Sequence, residues 1–466
     1  KKVRSMKSGK LKENQYRNPK PGSRFPHLLR KPVMRLRPSA VRLRFPHSTT
    51  CATTRQKQKS VPWPWVGATF TIVMFRIEGV TSQLCRSSLI VCLLLAFALG
   101  CSQEPPEASA PEATMLSWTH ASTLDGSLAT PNAGNQQTAT AVFDVDRDGL
   151  VDFLIAERTQ EPAVVWYRRN PSGWDRYVVE SSALRIEAGS AVHDIDGDGD
   201  TDVVFGGDAS SNQVWWWENP YPEFAREEGW KRHLIKNSGS NKHHDQLFGD
   251  FDGDGDQELV FWNQGAQKLY LAEIPRLPLA EPWELSVIYH YSSDEEPDQR
   301  GEYPSWKGIN EHEGLASADI DGDGKTDILG GGRWFRHVKE MVFQANVIDS
   351  SYAFSRVAAG QLIQGDRPEV VLVVGDGAAP LILYQWDGTQ WDSEKLIESV
   401  QDGHSLDIID ADGDGNLDIF VAEMRLGQNP EAKTRILLGD GQGGFEEQIV
   451  SSGYGLHESK VADLDG

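Results

Sequence analysis

Short apolar runs alternate with glycine-rich turns over most of this chain, from about residue 116 onward. The clearest unit lies near the carboxyl end, where short runs that contain apolar and β-branched residues occupy positions 405–409, 419–422, 435–438 and 446–450. Runs of four or five such residues, bounded by Gly, Asp and Asn, are typical of β-strands rather than of helices. We therefore predict four short antiparallel strands in this unit.

An acidic loop separates the first two strands of this unit, and the same loop recurs along the chain. Each complete copy has acidic residues at loop positions 1, 3, 5 and 9 and a glycine at position 6. The five complete copies place these acidic residues at Asp144, Asp146, Asp148 and Asp152; Asp194, Asp196, Asp198 and Asp202; Asp250, Asp252, Asp254 and Glu258; Asp319, Asp321, Asp323 and Asp327; and Asp410, Asp412, Asp414 and Asp418. A degenerate copy runs from Gln361 to Glu369, and a last one opens at Asp463.

The first positions of these seven copies are 42 to 69 residues apart, a spacing that indicates one supersecondary unit per copy. We therefore predict an all-β protein, a β-propeller of about seven four-stranded blades. Residues 116–120 resemble an outer strand and 457–464 an inner strand of the same seventh blade, whose middle strands we expect beyond Gly466. Tryptophans at the starts of outer strands are expected to pack between blades, at Trp174, Trp230, Trp283 and Trp391.

The loops are candidate calcium sites. Calcium prefers six to eight oxygen ligands, and alternating Asp residues turn three carboxylates toward one centre, while Gly at position 6 permits the tight turn. An EF-hand needs Glu at position 12, and no complete copy has one. The alternative is that Asp and Gly only cap turns.

The D-x-D-x-D-G-x-x-D loops followed by apolar runs resemble the FG-GAP or VCBS repeats, a family that includes the propeller heads of integrin α-subunits. The resemblance covers about residues 116–466. It implies that a backbone carbonyl at position 7 and the carboxylate at position 9 complete the calcium sphere, and that about five structural calcium ions are bound. The copy at residues 361–369 has lost three of its acidic positions and is expected to be free of metal.

A second candidate site lies about six residues before each loop, where the inner strands begin. These positions are rich in His and Glu, and they should surround the mouth of the central channel on the face opposite the calcium loops. The candidates for an additional divalent metal, or for acid and base groups, are His244, Glu313, His404 and His457. The alternative is that the histidines cap strand ends by hydrogen bonds between blades.

Two further features could serve a ligand. The long connection 292–310 enters the fourth blade on the same face as the candidate channel site, although it could equally be a solvated acidic excursion. Trp215, Trp216, Trp217 and Trp306 suggest carbohydrate stacking, but packing of the blade sheets is the favoured interpretation.

The amino end has a different composition. Residues 1–73 hold 18 Lys and Arg and one acidic residue, so this segment is strongly positive. Because the whole chain has a net charge of −22, residues 74–466 carry −39. We interpret 1–73 as a basic, disordered or non-native extension, a nucleic-acid- or membrane-binding arm being the alternative. Residues 74–101 resemble a signal peptide with a lipobox-like end, which makes Cys101 a candidate lipidation site; plain secretion and a buried helix are the alternatives. Residues 102–115 form a Pro/Glu/Ala linker to the propeller at 116–466.

These features predict an exported, calcium-stabilised module of the cell envelope or the secreted fraction, which binds a protein or glycan. It would meet the membrane only through a lipid anchor, and the acidic charge argues against nucleic acid. The alternative is a carbohydrate-active enzyme of the lyase or dehydratase type, with its site at the channel mouth. The sequence has no nucleophile elbow, phosphate loop, CxxC or HExxH pattern, so binding without catalysis is favoured.

Overall fold

The computed structural model describes residues 71–76, 117–291, 311–424 and 429–464. Several sequence predictions concern residues outside these ranges: Cys101, most of the basic extension and the signal segment, the linker, the whole connection 292–310 with Trp306, and the end of the last acidic copy. No helix in the described ranges has the length and apolar character that a membrane span requires.

The first two strands are β1 (Thr71–Arg76) and β2 (Ser117–Ser122), which pair antiparallel as a separate two-stranded sheet. The boundary predicted between residues 73 and 74 falls within β1.

The following strands form six antiparallel four-stranded sheets, each made of four consecutive strands. Blade one contains β3 (Gln137–Phe143), β4 (Asp152–Glu157), β5 (Val164–Asn170) and β6 (Gly173–Glu180). Blade two contains β7 (Ile186–His193), β8 (Asp202–Gly207), β9 (Val214–Glu218) and β10 (Lys231–Lys236). Blade three contains β11 (His243–Gly249), β12 (Glu258–Asn263), β13 (Lys268–Glu273) and β14 (Ser286–His290).

Blade four contains β15 (Ala316–Ala318), β16 (Asp327–Gly330), β17 (Arg333–Lys339) and β18 (Val342–Val347), and is followed by a short 3-10 helix, Ser350–Tyr352. Blade five contains β19 (Ser355–Gly360), β20 (Glu369–Val374), β21 (Ala378–Trp386) and β22 (Trp391–Gln401). Blade six contains β23 (Ser405–Ile409), β24 (Asp418–Ala422), β25 (Lys433–Gly439) and β26 (Phe445–Ser452), as the sequence predicts for this unit.

The all-β propeller prediction is confirmed, but the prediction of seven blades is wrong, because the described residues form six four-stranded sheets. The expected inner strand at 457–464 forms no ladder in its described residues. Its backbone groups bond to side chains instead: Val461 N donates to Asp407, and Leu464 O accepts from Arg169. The expected outer strand at 116–120 pairs, as β2, with β1 rather than with a sheet of its own unit.

Residues 456–464 nevertheless lie between blade six and blade one. His404 Nδ1 donates to His457 O at 2.6 Å, and the Nδ1 atom of His457 lies 3.2 Å from Thr138 O on β3. Leu456 and Val461 pack on the apolar face of blade six together with Trp118 of β2. An irregular segment and a two-stranded sheet therefore occupy the position between the sixth and first blades.

The first strand of each sheet lies toward the centre, since β3 contacts β7, β7 contacts β11, and β19 contacts both β15 and β23. The second strands are apolar runs buried along their whole length, because neighbouring blades cover both faces. The cores lie between blades: Trp166 and Trp217 share one between blades one and two, and Trp216 belongs to the next. Trp230, Trp283 and Trp391 each join a core shared with the preceding blade, which confirms their predicted packing role.

Candidate metal centres

The acidic loops connect the first and second strands of their blades, and the carboxylate at position 1 shapes each turn. In blade two, Asp194 Oδ2 accepts a hydrogen bond from Gly199 N at 3.0 Å. Gly199 has a φ of 97°, a conformation that favours glycine because it lacks a Cβ atom. The same bond joins the position-1 Asp to the position-6 Gly in the other complete loops, from Gly149 to Asp144, Gly255 to Asp250, Gly324 to Asp319 and Gly415 to Asp410.

The position-9 carboxylate starts the second strand and is buried. Asp202 accepts from Ile195 N at 3.0 Å and from Asn219 N at 2.8 Å, and its burial raises its pKa to about 8. Burial likewise raises the pKa of the other position-9 carboxyls, to about 7 for Asp152, Glu258 and Asp327 and about 6 for Asp418. Since burial alone disfavours the charged form, a divalent cation beside these groups would stabilise them as carboxylates.

The loop carboxylates converge. One oxygen from each member of a set lies within 4.8 Å of the others for Asp250, Asp252, Asp254 and Glu258; for Asp144, Asp146 and Asp152; for Asp194, Asp196 and Asp202; and for Asp319, Asp321 and Asp327. Glu258 Oε1 is buried and accepts no hydrogen bond from the described residues. An all-oxygen set of this density fits calcium. In the blade-six loop, Asp412 accepts from Asp414 N at 3.1 Å and Asp418 from Ala411 N at 2.7 Å.

The position-5 carboxylates are more exposed, and each accepts a hydrogen bond from the backbone N–H two residues later, at position 7. Asp198 accepts from Asp200 N at 3.1 Å. The equivalent bonds are made by Asp148 to Leu150 N, Asp254 to Asp256 N, Asp323 to Lys325 N and Asp414 to Asn416 N. In three of these loops the second oxygen also contacts a side chain: Asp148 lies near Arg168, Asp323 accepts from Arg336 and Asp414 accepts from Asn416.

The degenerate loop of blade five closes without acidic residues at positions 1, 3 and 5. Gln361 Nε2 donates to Ile363 O at 2.6 Å and to Arg367 O, the carbonyl at position 7, at 2.9 Å. Glu369, at position 9, is also bonded to the loop and accepts from Ile363 N, at position 3, at 2.9 Å. An amide donor therefore engages the carbonyl that would face calcium in a complete loop.

The complete loops differ in the residue that the third strand places opposite position 9. In blades one and four this residue is an arginine. Arg168 forms an ion pair with Asp146, and Arg336 bonds Asp321 at 2.8 Å and Asp323 at 2.9 Å. In blades two and three it is Glu218 or Glu273, and in blade six it is Leu438. The loops of blades one and four are therefore partly neutralised, whereas those of blades two and three face an additional carboxylate.

At the other end of the inner strands, three of the four candidate channel residues meet. His244, Glu313 and His404, from blades three, four and six, are each 3 to 4% exposed, and each offers a ligand atom within 4.8 Å of the others. His244 Nε2 lies 3.3 Å from Glu313 Oε1, and His404 Nε2 lies 3.8 Å from Glu313 Oε2. His457 packs against His404 with the ring centroids 4.6 Å apart and the ring planes tilted by 30°, but it is not part of the three-residue set.

Electrostatics differ among these histidines. Burial lowers the pKa of His404 well below its usual value and that of His457 to about 3. Burial opposes the charged form of His244 too, but the carboxylates of Glu313 and Asp245 outweigh it and raise the pKa. Burial, and then the charge of Glu313, raises the pKa of Asp376 to about 7.

The histidines at this end both cap strand ends and form the cluster. They use Nδ1 for the caps and Nε2 for the cluster. The Nδ1 atoms of His404 and His457 face backbone carbonyls of neighbouring inner segments, and Nδ1 of His243 lies 3.1 Å from Gly207 O. These contacts are the strand-end caps that the sequence offers as an alternative. They leave the Nε2 atom of His404 for the cluster.

The residues that hold the cluster in place were not among those predicted from the sequence. Arg356 of β19 is 8% exposed and binds both oxygens of Asp245, at 2.7 and 3.1 Å, while Gln264 Nε2 donates to Glu313 Oε1 at 3.1 Å. A lone arginine in the apolar strand 355–360 is the only signal that could have pointed to it. Trp215, Trp216 and Trp217 are buried, so they pack in the cores and offer no ring to a sugar.

Comparison with known proteins agrees with this architecture. Residues 194–261, from the loop of blade two to β12, match the FG-GAP-like repeat. One segment of this β-propeller therefore matches the FG-GAP-like repeat. A sequence search finds no significant match among curated proteins.

Three solved structures are among those that this chain matches. The fungal lectin of Aleuria aurantia, described as a six-bladed β-propeller with a novel fucose recognition mode, has a TM-score of 0.38 and 12% identity over 70% of this chain and 98% of its own. AofleA from Arthrobotrys oligospora has a TM-score of 0.37 and 13% identity over 68% and 86%. The biofilm matrix protein Bap1 of V. cholerae has a TM-score of 0.34 and 12% identity over 59% of this chain but only 42% of Bap1. Similarities of this size carry no conclusion about ligands.

Proposed function

We propose that this FG-GAP-like propeller is an exported, calcium-stabilised module that binds a protein or glycan ligand on its loop-rich face. The observation that carries the calcium part is the convergence of the loop carboxylates, together with the buried position-9 acids. The binding part rests on the scaffold, since rigid sheets with loops at both ends commonly present ligand-contacting residues.

Removal of calcium should destabilise the propeller. Without cations, several carboxylates within a few ångströms repel one another, and each site occupied at a hundredfold excess over its Kd adds about 2.7 kcal/mol to the free energy of unfolding. We expect the thermal unfolding midpoint of the purified chain to fall clearly in a calcium chelator and to return when calcium is restored. An unchanged midpoint would contradict structural calcium.

Two substitutions sharpen this test at the level of single loops. Asp412→Ala removes a carboxylate from a complete loop and should lower the calcium content of the purified chain by about one ion. Ile363→Ala changes the corresponding position of the degenerate loop and should leave the calcium content unchanged. Equal losses in both variants, measured by elemental analysis, would show that the loop alignment is wrong.

The arginines of blades one and four should weaken calcium binding. Arg168 and Arg336 each place a positive charge on the carboxylates that would hold the ion, which costs affinity on the order of tenfold. We expect calorimetric titration of the parent to resolve a weaker and a tighter class of sites. The double variant Arg168→Leu/Arg336→Leu should shift the weaker class toward the tighter one.

Leu438→Arg supplies the matched control for this comparison. It introduces into blade six the side chain that blades one and four already have, so it should move one site from the tighter to the weaker class. If neither exchange alters the titration, the arginines do not tune the loops.

Export is the second part of the proposal. An apolar segment that ends at Cys101, followed by a linker rich in Pro, Glu and Ala, supports processing and lipidation at that cysteine. In a bacterial host, Cys101→Ser should abolish labelling by a fatty-acid analogue and release the propeller from the membrane fraction. A variant that is labelled and sedimented like the parent would contradict the lipid anchor.

A glycan ligand can be tested with the calcium-loaded chain on an array of polysaccharides. We expect saturable retention without new reducing or unsaturated ends in the bound sugars. Absence of retention on all of them would exclude the glycans tested and leave a protein ligand. Release of unsaturated products would favour the alternative function.

That alternative is a carbohydrate-active enzyme of the lyase or dehydratase type at the channel mouth. One observation favours it, namely that His244, Glu313 and His404 converge although 160 residues separate the first from the last. Asp376, whose pKa burial and the charge of Glu313 raise to about 7, would provide a nearby proton donor.

A further inference from the structure

We propose that His244, Glu313 and His404 form a three-ligand site for a borderline transition metal of the zinc class, distinct from the calcium loops. The site lies where three blades meet, at the opposite end of the inner strands from the acidic loops. It goes beyond the proposed binding function, because it needs neither an exported chain nor calcium.

Each histidine nitrogen lies near the separation expected of two zinc ligands from one oxygen of Glu313, although the two histidines face different oxygens. Two ligands that lie 2.0–2.1 Å from a tetrahedral zinc are about 3.4 Å apart. His244 Nε2 and Glu313 Oε1 are 3.3 Å apart, and His404 Nε2 and Glu313 Oε2 are 3.8 Å apart. Two imidazole nitrogens and a carboxylate favour zinc over calcium, which prefers oxygen ligands only.

The hydrogen bonds around the two histidines present the correct nitrogen. His404 Nδ1 lies 2.6 Å from His457 O, and a carbonyl can only accept, so Nδ1 carries the proton and Nε2 the lone pair. His244 Nδ1 lies 2.8 Å from Asp245 Oδ2, which fixes that ring in the same way. A carboxylate or carbonyl on the distal nitrogen is the usual support of a metal-binding histidine.

Asp245 is itself firmly held. Arg356 binds both of its oxygens, and Gly314 N donates to Oδ2 at 2.9 Å. The pairing of β11 with β12 shifts register between His244 and Gln246, and Asp245 at this irregularity has a φ of 49°. Bulges of this kind re-aim side chains next to functional sites, so the backbone brings a ligand and its support to the same place.

One ligand oxygen lacks a partner, and the space beside it is kept open. Glu313 Oε2 is buried and accepts no hydrogen bond from the described residues. A Cβ atom at Gly375 would lie 3.2 Å from this oxygen and 3.8 Å from His404 Nε2. Glycine at position 375 therefore keeps a Cβ atom from crowding the two ligand atoms.

The test uses the full chain, stripped of transition metals and kept in millimolar calcium so that the acidic loops are saturated. Zinc and cobalt(II) are the probes. We expect about one zinc ion per chain, and a visible spectrum of tetrahedral cobalt that zinc abolishes. Binding of no zinc under these conditions would overturn the proposal.

Three variants locate the ion. His404→Ala removes a ligand, Glu313→Gln weakens one with little change of shape, and Gly375→Ala fills the space beside the ligands without removing any. Each should lower zinc affinity at least tenfold and change or erase the cobalt spectrum, whereas His337→Ala, on the third strand of blade four, should change neither.

Circular dichroism and the thermal midpoint in calcium identify any variant that fails to fold, and the remaining variants then decide. Zinc binding and a cobalt spectrum unchanged in the folded variants would place the ion elsewhere and overturn the site.

Discussion

Each blade with an acidic loop depends on the hydrogen bonds of one carboxylate, the one at loop position 9, where the second strand begins. It is buried, and in four of the complete loops it accepts a backbone N–H from loop position 2, which fixes the loop to the sheet. Blade five makes the point most clearly: Glu369 keeps a bond to its loop although the acidic residues at positions 1, 3 and 5 are absent. The position-9 acid is therefore a structural requirement first and a candidate ligand second.

Much of the fold could be predicted because its signals are local. Strand bounds in blade six, the loop pattern and the packing of Trp230 follow from runs of apolar residues and from turn chemistry within a few positions. The number of blades could not be predicted, because closure depends on whether distant segments form a ladder. The segment 457–464 has the sequence of an inner strand, yet its backbone pairs with side chains of its neighbours.

The channel cluster, too, could be predicted only in part. Its three residues could be predicted because they occupy equivalent positions at the starts of inner strands. In a ring of blades, residues at such positions must approach one axis. Arg356, Gln264 and Gly375 could not be found that way, because each acts across a blade boundary on a residue far away in sequence. His457 was predicted as a member, but its carbonyl rather than its ring serves the cluster, by accepting from His404.

The amide of Gln361 gives blade five a property that the other loop-bearing blades lack. Its loop is closed by hydrogen bonds from Gln361 to the carbonyls of Ile363 and Arg367. A chelator removes metal ions and does not affect these bonds. If the complete loops bind calcium as we propose, the carboxylate loops on either side lose their counter-charge when calcium is scarce, while this one keeps its hydrogen bonds. The ring would then soften unevenly, and β19, which carries Arg356 on the same blade, would remain the fixed reference against which the neighbouring blades move.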